Sequence, residues 1–430
     1  MFNHMLNIPT SPKQRIIIIG GGFAGVKLAQ TLAGSNYQIV MIDKNNYHQF
    51  QPLFYQVATA GIEPSGILFP LRKLFNKYPD FYLRITEVTH IDVANKVVQT
   101  RSGSCSYDKL IIAAGAKTSY FGLENIRKAA FPMKSVTEAL SLRNSILKHL
   151  ELALFETDAR KKEELMNLVI VGGGPTGTEV AGALAEMKKH IFPKEYKELD
   201  IENIRIVLVE AAPTLLNGMK DSSKARSKRY LEGLGVEVLT GVQVKDYVDH
   251  SVLLSNGESI PTRNIIWAAG VKGVKFKGIP DSVYLPNERI VVDAFNKVKE
   301  LDHVYAIGDN CAMITDDTPR GHPQVAQVAI QQAKNLGINL KNEVRNKSAK
   351  PFKYKNLGAM ATIGRHLAVA DLPGLSLFGF FAWYVWMFVH LMSILGVKNR
   401  LFVFLNWMWS YITFDQSLRL IISRDNSEKM

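Results

Sequence analysis

The chain has 430 residues, 47% hydrophobic and 21% charged, enough for two or three domains with well-buried cores. Two cysteines, Cys105 and Cys311, with no Cys-x-x-Cys anywhere, exclude a disulfide framework and a four-thiolate metal site. The net charge of +13 and pI near 9.4 come from Lys and Arg spread through 188–197, 220–229 and 341–355; that suits a solvated surface with some attraction to anionic lipid, and no compact nucleic-acid-binding motif is present.

The opening "MFNHMLNIPTSPKQR" has no charged start, apolar run or small-residue cleavage site, so no secretory or transit signal is expected. "RIIIIGGGFAG" (15–25) reads as a buried parallel strand entering a glycine turn. Gly20, Gly22 and Gly25 have the G-x-G-x-x-G spacing: a tight turn, a close approach to pyrophosphate, and a close helix–strand contact. A helix to about Ala33 follows, its positive N-terminal end facing the phosphates. "YQIVMID" (37–43) is the second strand, and Asp43 at its end can accept hydrogen bonds from a ribose. "FYLRITEV" reads as a strand ending at Val88.

The pattern then repeats. "LVIVGGGPTGTEVAG" (168–182) carries Gly172, Gly174 and Gly177, and "IRIVLVE" (204–210) ends in Glu210. Two complete units imply two dinucleotides. Glu210 is followed by Ala211 and Ala212 rather than Arg, so a 2′-phosphate is repelled and NADH is favoured over NADPH. Between repeat helix and strand, "EMKKHIFPKEYKELDIENI" reads as a polar, basic insertion. The chain returns to the first repeat near Pro286–Arg289 and runs into "HVYAIGDNCA" (303–312), a strand ending at Gly308-Asp309. Asp309 would reach the ribityl chain of FAD, which assigns FAD to the first repeat and NADH to the second.

"AQVAIQQAKNLGINL" (326–340) reads as a helix bearing Gln327, Gln331 and Gln332, with Pro323 placed at its first turn. Gln327 and Gln331 lie one turn apart on one face. Finally, "LSLFGFFAWYVWMFVHLMSIL" (375–395) is long enough to span a bilayer, whereas "LFVFLNWMWSYITF" (401–414) is not. Ser376, Gly379, Trp383, Trp386, His390 and Ser393 in the first, and Asn406, Ser410, Thr413 and Ser417 in the second, form weak polar stripes opposite broad aromatic faces. Two helices lying in the membrane interface, stripe toward the protein, are the favoured reading.

The two units, with "LIIAAGA" (110–116), "IIWAAGV" (265–271) and "YAIGDN", resemble the two-dinucleotide-binding flavoproteins. "KNNYHQFQPLFYQVATAG" (44–61), the A-Q-x-A-x-Q opening of the 326–340 helix and the apolar C-terminus narrow the resemblance, over nearly the whole chain, to type II NADH:quinone oxidoreductases: single-subunit, non-proton-pumping NADH dehydrogenases. It implies an α/β fold: two Rossmann-like, doubly wound domains and a C-terminal amphipathic helical membrane anchor. The expected boundaries are 1–120 with 290–374 for non-covalent FAD, 121–289 for the substrate NADH, and 375–430 for the anchor. For FAD it implies Gly20, Gly21, Gly22, Phe23, Ala24, Gly25, Asp43, Lys44, Val88 by its backbone, Gly115, Asp309, Ala326 and Gln327. For NADH it implies Gly172, Gly174, Pro175, Thr176, Gly177, Glu179, Glu210 and Gly270, and for quinone Gln327 and Gln331.

Glu179, placed in the first turn of the second repeat's helix, matches an acid proposed in the family to position substrate or relay a proton; an acid answering the helix dipole is the plainer reading. His48 and Gln51 fall in a loop expected near the flavin. Neither cysteine fits a redox role, and no metal is expected. The expected partners are a membrane quinone (menaquinone or ubiquinone), the bilayer surface at the cytoplasmic face of the cell inner membrane and, as often in the family, a second subunit; nucleic acid is not among them. A signalling protein of the apoptosis-inducing-factor type and a soluble ferredoxin or rubredoxin reductase stand as alternatives.

Overall fold

The computed structural model describes residues 5–413 and 418–421. Two compact units emerge: 1–49, 69–117 and 271–356 form one, and 50–68, 118–270 and 357–430 the other. The chain therefore leaves the first unit at Lys117 and returns at Val271, earlier than the boundaries at 120 and 290 read from sequence. Residues 357–374 and the C-terminal helices join the second unit.

In the first unit five parallel strands lie in the order Val304–Ala306, Lys109–Ile112, Gln14–Ile19, Tyr37–Asp43, Phe81–Ile85. Ile16, Ile17 and Ile18 are fully buried, which is why this strand is an unbroken β-branched run. Val88 opens the strand Val88–Asp92 instead of ending the previous one, which stops at Ile85. The helix Ala326–Val344 packs on the helix Phe23–Leu32 through small residues: a Cβ on Gly337 would come within 2.7 Å of Thr31. Its N-cap is Val325, so Pro323 lies before the helix and not in its first turn.

The second unit repeats the sheet: Phe131–Pro132, Asn264–Trp267, Leu168–Val171, Ile206–Glu210, Glu237–Thr240, all parallel. The helix Pro175–His190 runs further than expected, into the stretch read as a polar insertion. Phe192, Tyr196, Leu199, Ile201 and Ile204 of that stretch are buried, spaced between the charges that face water. A three-stranded antiparallel sheet, Ala359–Gly364, Leu367–Leu372 and Leu375–Phe378, backs this helix and leads into helices Gly379–Ser393 and Val397–Thr413. The segment 375–395, read as one helix lying in the interface, thus begins as a strand. No described helix is long and apolar enough to cross a membrane.

The outward faces of the two C-terminal helices are apolar: Phe380, Phe381, Tyr384, Phe388 and Met392 on one, Leu401, Phe402, Leu405, Trp409 and Ile412 on the other. Trp386 is buried and Trp383, His390, Asn406 and Ser410 are half-buried, as the stripes require. Ser393 and Thr413 are exposed instead, and return their hydroxyls to Val389 O and Trp409 O; Phe414 and Ser417 lie outside the described residues.

The helix–sheet contact hinges on Gly182, where a Cβ would fall 1.6 Å from Ile363 O. Gly182→Ala must push the sheet away and should cost about 1–3 kcal/mol or more; urea unfolding checks this.

Candidate functional site

The two glycine turns are near-copies. Gly20 and Gly172 hold φ of +109° and +108°, open to glycine but strained for other residues. A Cβ on Gly25 would sit 1.8 Å from Gly20 O, and one on Gly177 1.8 Å from Gly172 O. Gly22 and Gly174 are the helix N-caps, with no side-chain cap and open space around the missing Cβ. Each turn therefore points uncapped backbone N–H groups into free space, which is what a pyrophosphate requires.

Each turn is held by the acid that ends the next strand. Asp43 accepts from the N–H of Gly21 at 2.5 Å and of Asn45 at 2.6 Å. Glu210 accepts from Gly173 at 2.5 Å and Ala212 at 2.7 Å. Burial pushes the Asp43 carboxyl up, against the pull of those amides and of Lys44. A carboxylate has lone pairs to spare for a ribose beyond these bonds. His48 is buried, its Nδ1 3.1 Å from Gly21 O and its ring edge-on to Phe23, and burial lowers its pKa. Neutral His48 thus braces the turn.

Around Gly308-Asp309 the clasp is a residue the sequence did not single out for a role. Gln332, 1% exposed, accepts from Gly308 N–H at 2.8 Å and from Cys311 Sγ at 3.4 Å. A Cβ on Gly308 would crowd the methyls of Ala24 and Ala329, at 3.2 and 3.3 Å. Arg289 donates to the carbonyls of Cys311, Arg320 and His322, fixing the loop after Asp309. Gln327 accepts from the Tyr354 hydroxyl at 3.3 Å. The Gln331 amide donates to Lys355 O at 2.9 Å and accepts from Lys355 N–H at 3.0 Å. These bonds orient the side chain and use one of its two N–H donors and one of its two lone pairs. Lys44 is exposed, and Val88 packs at the edge of the core. Gly115 has φ of +70° and open space, while Gly270 lies under the Phe121 ring.

In the second unit Glu179 falls in the second turn of the helix Pro175–His190, too deep to answer the dipole. It is 7% exposed, and burial pushes its pKa up to about 8. The Thr362 N–H, 3.4 Å from Oε1, and the Trp386 indole offset this only partly; the indole N–H lies near the carboxyl without closing a well-formed hydrogen bond. The carboxyl lines a cleft of about 120 Å³, walled by Tyr55, Gln56, Glu186, Arg365, Trp386, Trp407 and Tyr411 among others. Trp407 Nε1 donates to Gln56 Oε1 at 2.7 Å, and Gln56 Nε2 donates to the Tyr55 hydroxyl at 2.8 Å. Arg365 donates to the carbonyls of Ser410 and Tyr411. The sequence offered no signal for this wall beyond the polar stripes of the C-terminal helices. No cluster of potential metal ligands exists among the described residues, and both cysteines are buried and free.

The pyridine nucleotide-disulphide oxidoreductase model matches residues 14–333, and the NDH2 C-terminal domain model matches 356–413. The chain is 32% identical over 420 residues to the type II NADH:quinone oxidoreductase Ndh of Mycobacterium tuberculosis, covering 93% of this chain and 89% of that one. The chain belongs to the type II NADH:quinone oxidoreductases. It is 30% identical to the mitochondrial internal alternative NAD(P)H-ubiquinone oxidoreductase A1 of Arabidopsis thaliana, covering 93% of this chain and 84% of that protein. In fold it is similar to NDH2 from Plasmodium falciparum, solved in complex with NADH, with a TM-score of 0.87 at 23% identity, covering 96% of this chain and all of that one.

Glu179 makes a pH prediction. The folded state keeps a proton that the unfolded chain releases near the ordinary 4.5, so stability falls as pH rises from about 4.5 to about 8. Glu179→Gln removes that dependence. The melting-temperature advantage of the variant should widen across this window and level off above it, as read by scanning calorimetry.

Proposed function

We propose that the chain oxidises NADH and delivers two electrons to a membrane quinone through non-covalently bound FAD, giving NAD⁺ and quinol without pumping protons. Bound FAD supplies the two-electron carrier chemistry; the protein supplies positioning and proton control. The carrying observation is the pair of acid-clasped, uncapped glycine turns together with a protonated carboxyl in a cleft walled by the C-terminal helices. The turn at Gly20–Gly25, with Asp43 and Asp309, fits FAD; Lys44, Val88, Gly115, Ala326 and Gln327 complete the proposed contacts. The turn at Gly172–Gly177, with Pro175, Thr176, Glu210 and Gly270, fits NADH.

Glu179 is the proposed proton donor to a quinone oxygen. At neutral pH it is protonated, and a buried acid with a pKa near the working pH suits that task. The quinone is a menaquinone or ubiquinone entering from lipid. The exposed aromatic faces of the C-terminal helices favour a monotopic enzyme at the cytoplasmic face of the cell inner membrane. The apolar C-terminal layer disfavours both the soluble-reductase and the signalling readings.

The purified protein should carry stoichiometric FAD, oxidise NADH with a soluble short-chain quinone, and strongly prefer NADH to NADPH; lack of flavin or of quinone reduction overturns the proposal. Glu210→Gln, which keeps an acceptor for the turn, should relax the cofactor preference about tenfold, since removing like-charge repulsion is worth that much; kcat/KM for both cofactors measures it. Membranes carrying the full chain should keep it through a high-salt wash and release it to detergent, because a few hundred Å² of lipid-buried apolar surface contributes several kcal/mol at about 25 cal/mol per Å².

A further inference from the structure

Reducing a quinone with NADH consumes one proton from water per turnover, since NADH brings two electrons and one proton and the quinol carries two protons. Glu179 is 7% exposed, so once it has given its proton away it needs a supply line. The proposed function leaves that supply unassigned.

The same cleft holds a second carboxyl. Glu186 lies seven residues after Glu179 on the helix Pro175–His190, two turns along one face or about 10 Å away. Its Oε1 accepts the Arg365 N–H. Unlike Glu179 it is partly open to solvent. Burial opposes ionisation of the Tyr55 phenol, on the short helix Phe54–Ala58, and the carboxylates of Glu179 and Glu186 add to that. Its oxygen accepts from Gln56 Nε2, which leaves its own O–H proton to donate elsewhere. The charged groups acting on Glu186 are Arg365, from the turn between two strands, and Lys189, from its own helix; burial nevertheless raises its pKa.

Resting on the reading of Glu179 as donor to quinone, we propose that Glu186 and Tyr55 form the relay that reprotonates it, running from the solvent-facing side of the cleft inward. The O–H bond of Glu179 breaks as its proton goes to the quinone oxygen. The Tyr55 hydroxyl then passes its proton to the Glu179 carboxylate while taking one from Glu186, and Glu186 is recharged from water. The cleft, about 120 Å³, has room for the few waters that bridge these groups. No electron moves in the relay; the electron pair comes from the flavin. Gln56 is a positioning residue, tying the phenol to Trp407 of the outer helix.

The test uses the full-length holoenzyme in detergent with two acceptors: a soluble short-chain quinone, which needs protons, and ferricyanide, which needs none. Glu186→Gln keeps an acceptor for the Arg365 amide, and Tyr55→Phe removes only a hydroxyl. Both should slow quinone reduction at least about tenfold, with an enlarged solvent isotope effect and a loss that deepens as pH rises. Flavin reduction by NADH and ferricyanide turnover should proceed at native rates, and the double variant should be no slower than the slower single. Infrared spectra should show a deuterium-sensitive carboxylic C=O band that loses one component in Glu186→Gln and another in Glu179→Gln. Native quinone kinetics and pH profile in both Glu186→Gln and Tyr55→Phe overturn the relay. If Glu179→Gln alone slows quinone reduction, the relay fails and the donor stands; if Glu179→Gln is also without effect, the donor assignment itself fails.

Discussion

Both halves of this protein rest on one arrangement: a helix N-terminus kept free of its own cap. A serine or aspartate at Gly22 or Gly174 would satisfy the first helical amides from within, at a gain of roughly a few tenths of a kcal/mol, and close the anion site. Glycine leaves the amides pointing outward, and the turn must be stiffened from elsewhere. The stiffening comes from below, where Asp43 and Glu210 each accept two backbone N–H groups, one from the middle glycine of the turn. One carboxylate thus shapes each glycine turn from below.

The second constraint is a cost left in place. Burying Glu179 without a cation beside it disfavours its charged form strongly, and a leucine there would pack without penalty. The surroundings hold the acid in that state: Gly182 lets the sheet approach to backbone contact, Thr362 supplies a single long hydrogen bond, and Trp386 and Tyr55 wall the cleft beside it. Arg365, the nearest cation of the wall, is turned away to the carbonyls of Ser410 and Tyr411. An acid kept neutral in this way can give a proton at neutral pH.

What could be read from the sequence follows from the range of the interactions. The glycine turns, their acids and the strands were legible because each is specified within some thirty residues by local backbone geometry. The C-terminal helices were legible as amphipathic, but their start was not: Leu375–Phe378 is as apolar as the helix behind it, and only pairing with Val369–Leu372 makes it strand. The stretch 186–204 misled because its charges outnumber the apolar residues that carry the burial. Gln331 and Gln332 are neighbours of one type, and their roles were decided by what the fold brought up: the backbone of Lys355 to one, the amide of Gly308 to the other. The Glu186–Tyr55 pairing joins residues 131 positions apart in number, beyond any local pattern.

The stitching of the outer helix has a consequence for how the protein is made. Trp407 bonds to Gln56 across 351 residues of chain, and Asn399 reaches the carbonyls of Ser65 and Leu68 across more than 330. On a ribosome adding about 5–20 residues each second, Tyr55 and Gln56 emerge tens of seconds before the helix that covers them. Both glycine turns can be finished in that interval, since their acids follow within about forty residues. Until Trp407, Ser410 and Tyr411 arrive, the wall of the cleft that Glu179 lines is incomplete. The glycine turns of both dinucleotide folds can therefore form before the cleft is closed, and an aromatic helix near the end of the chain is the piece that completes its wall.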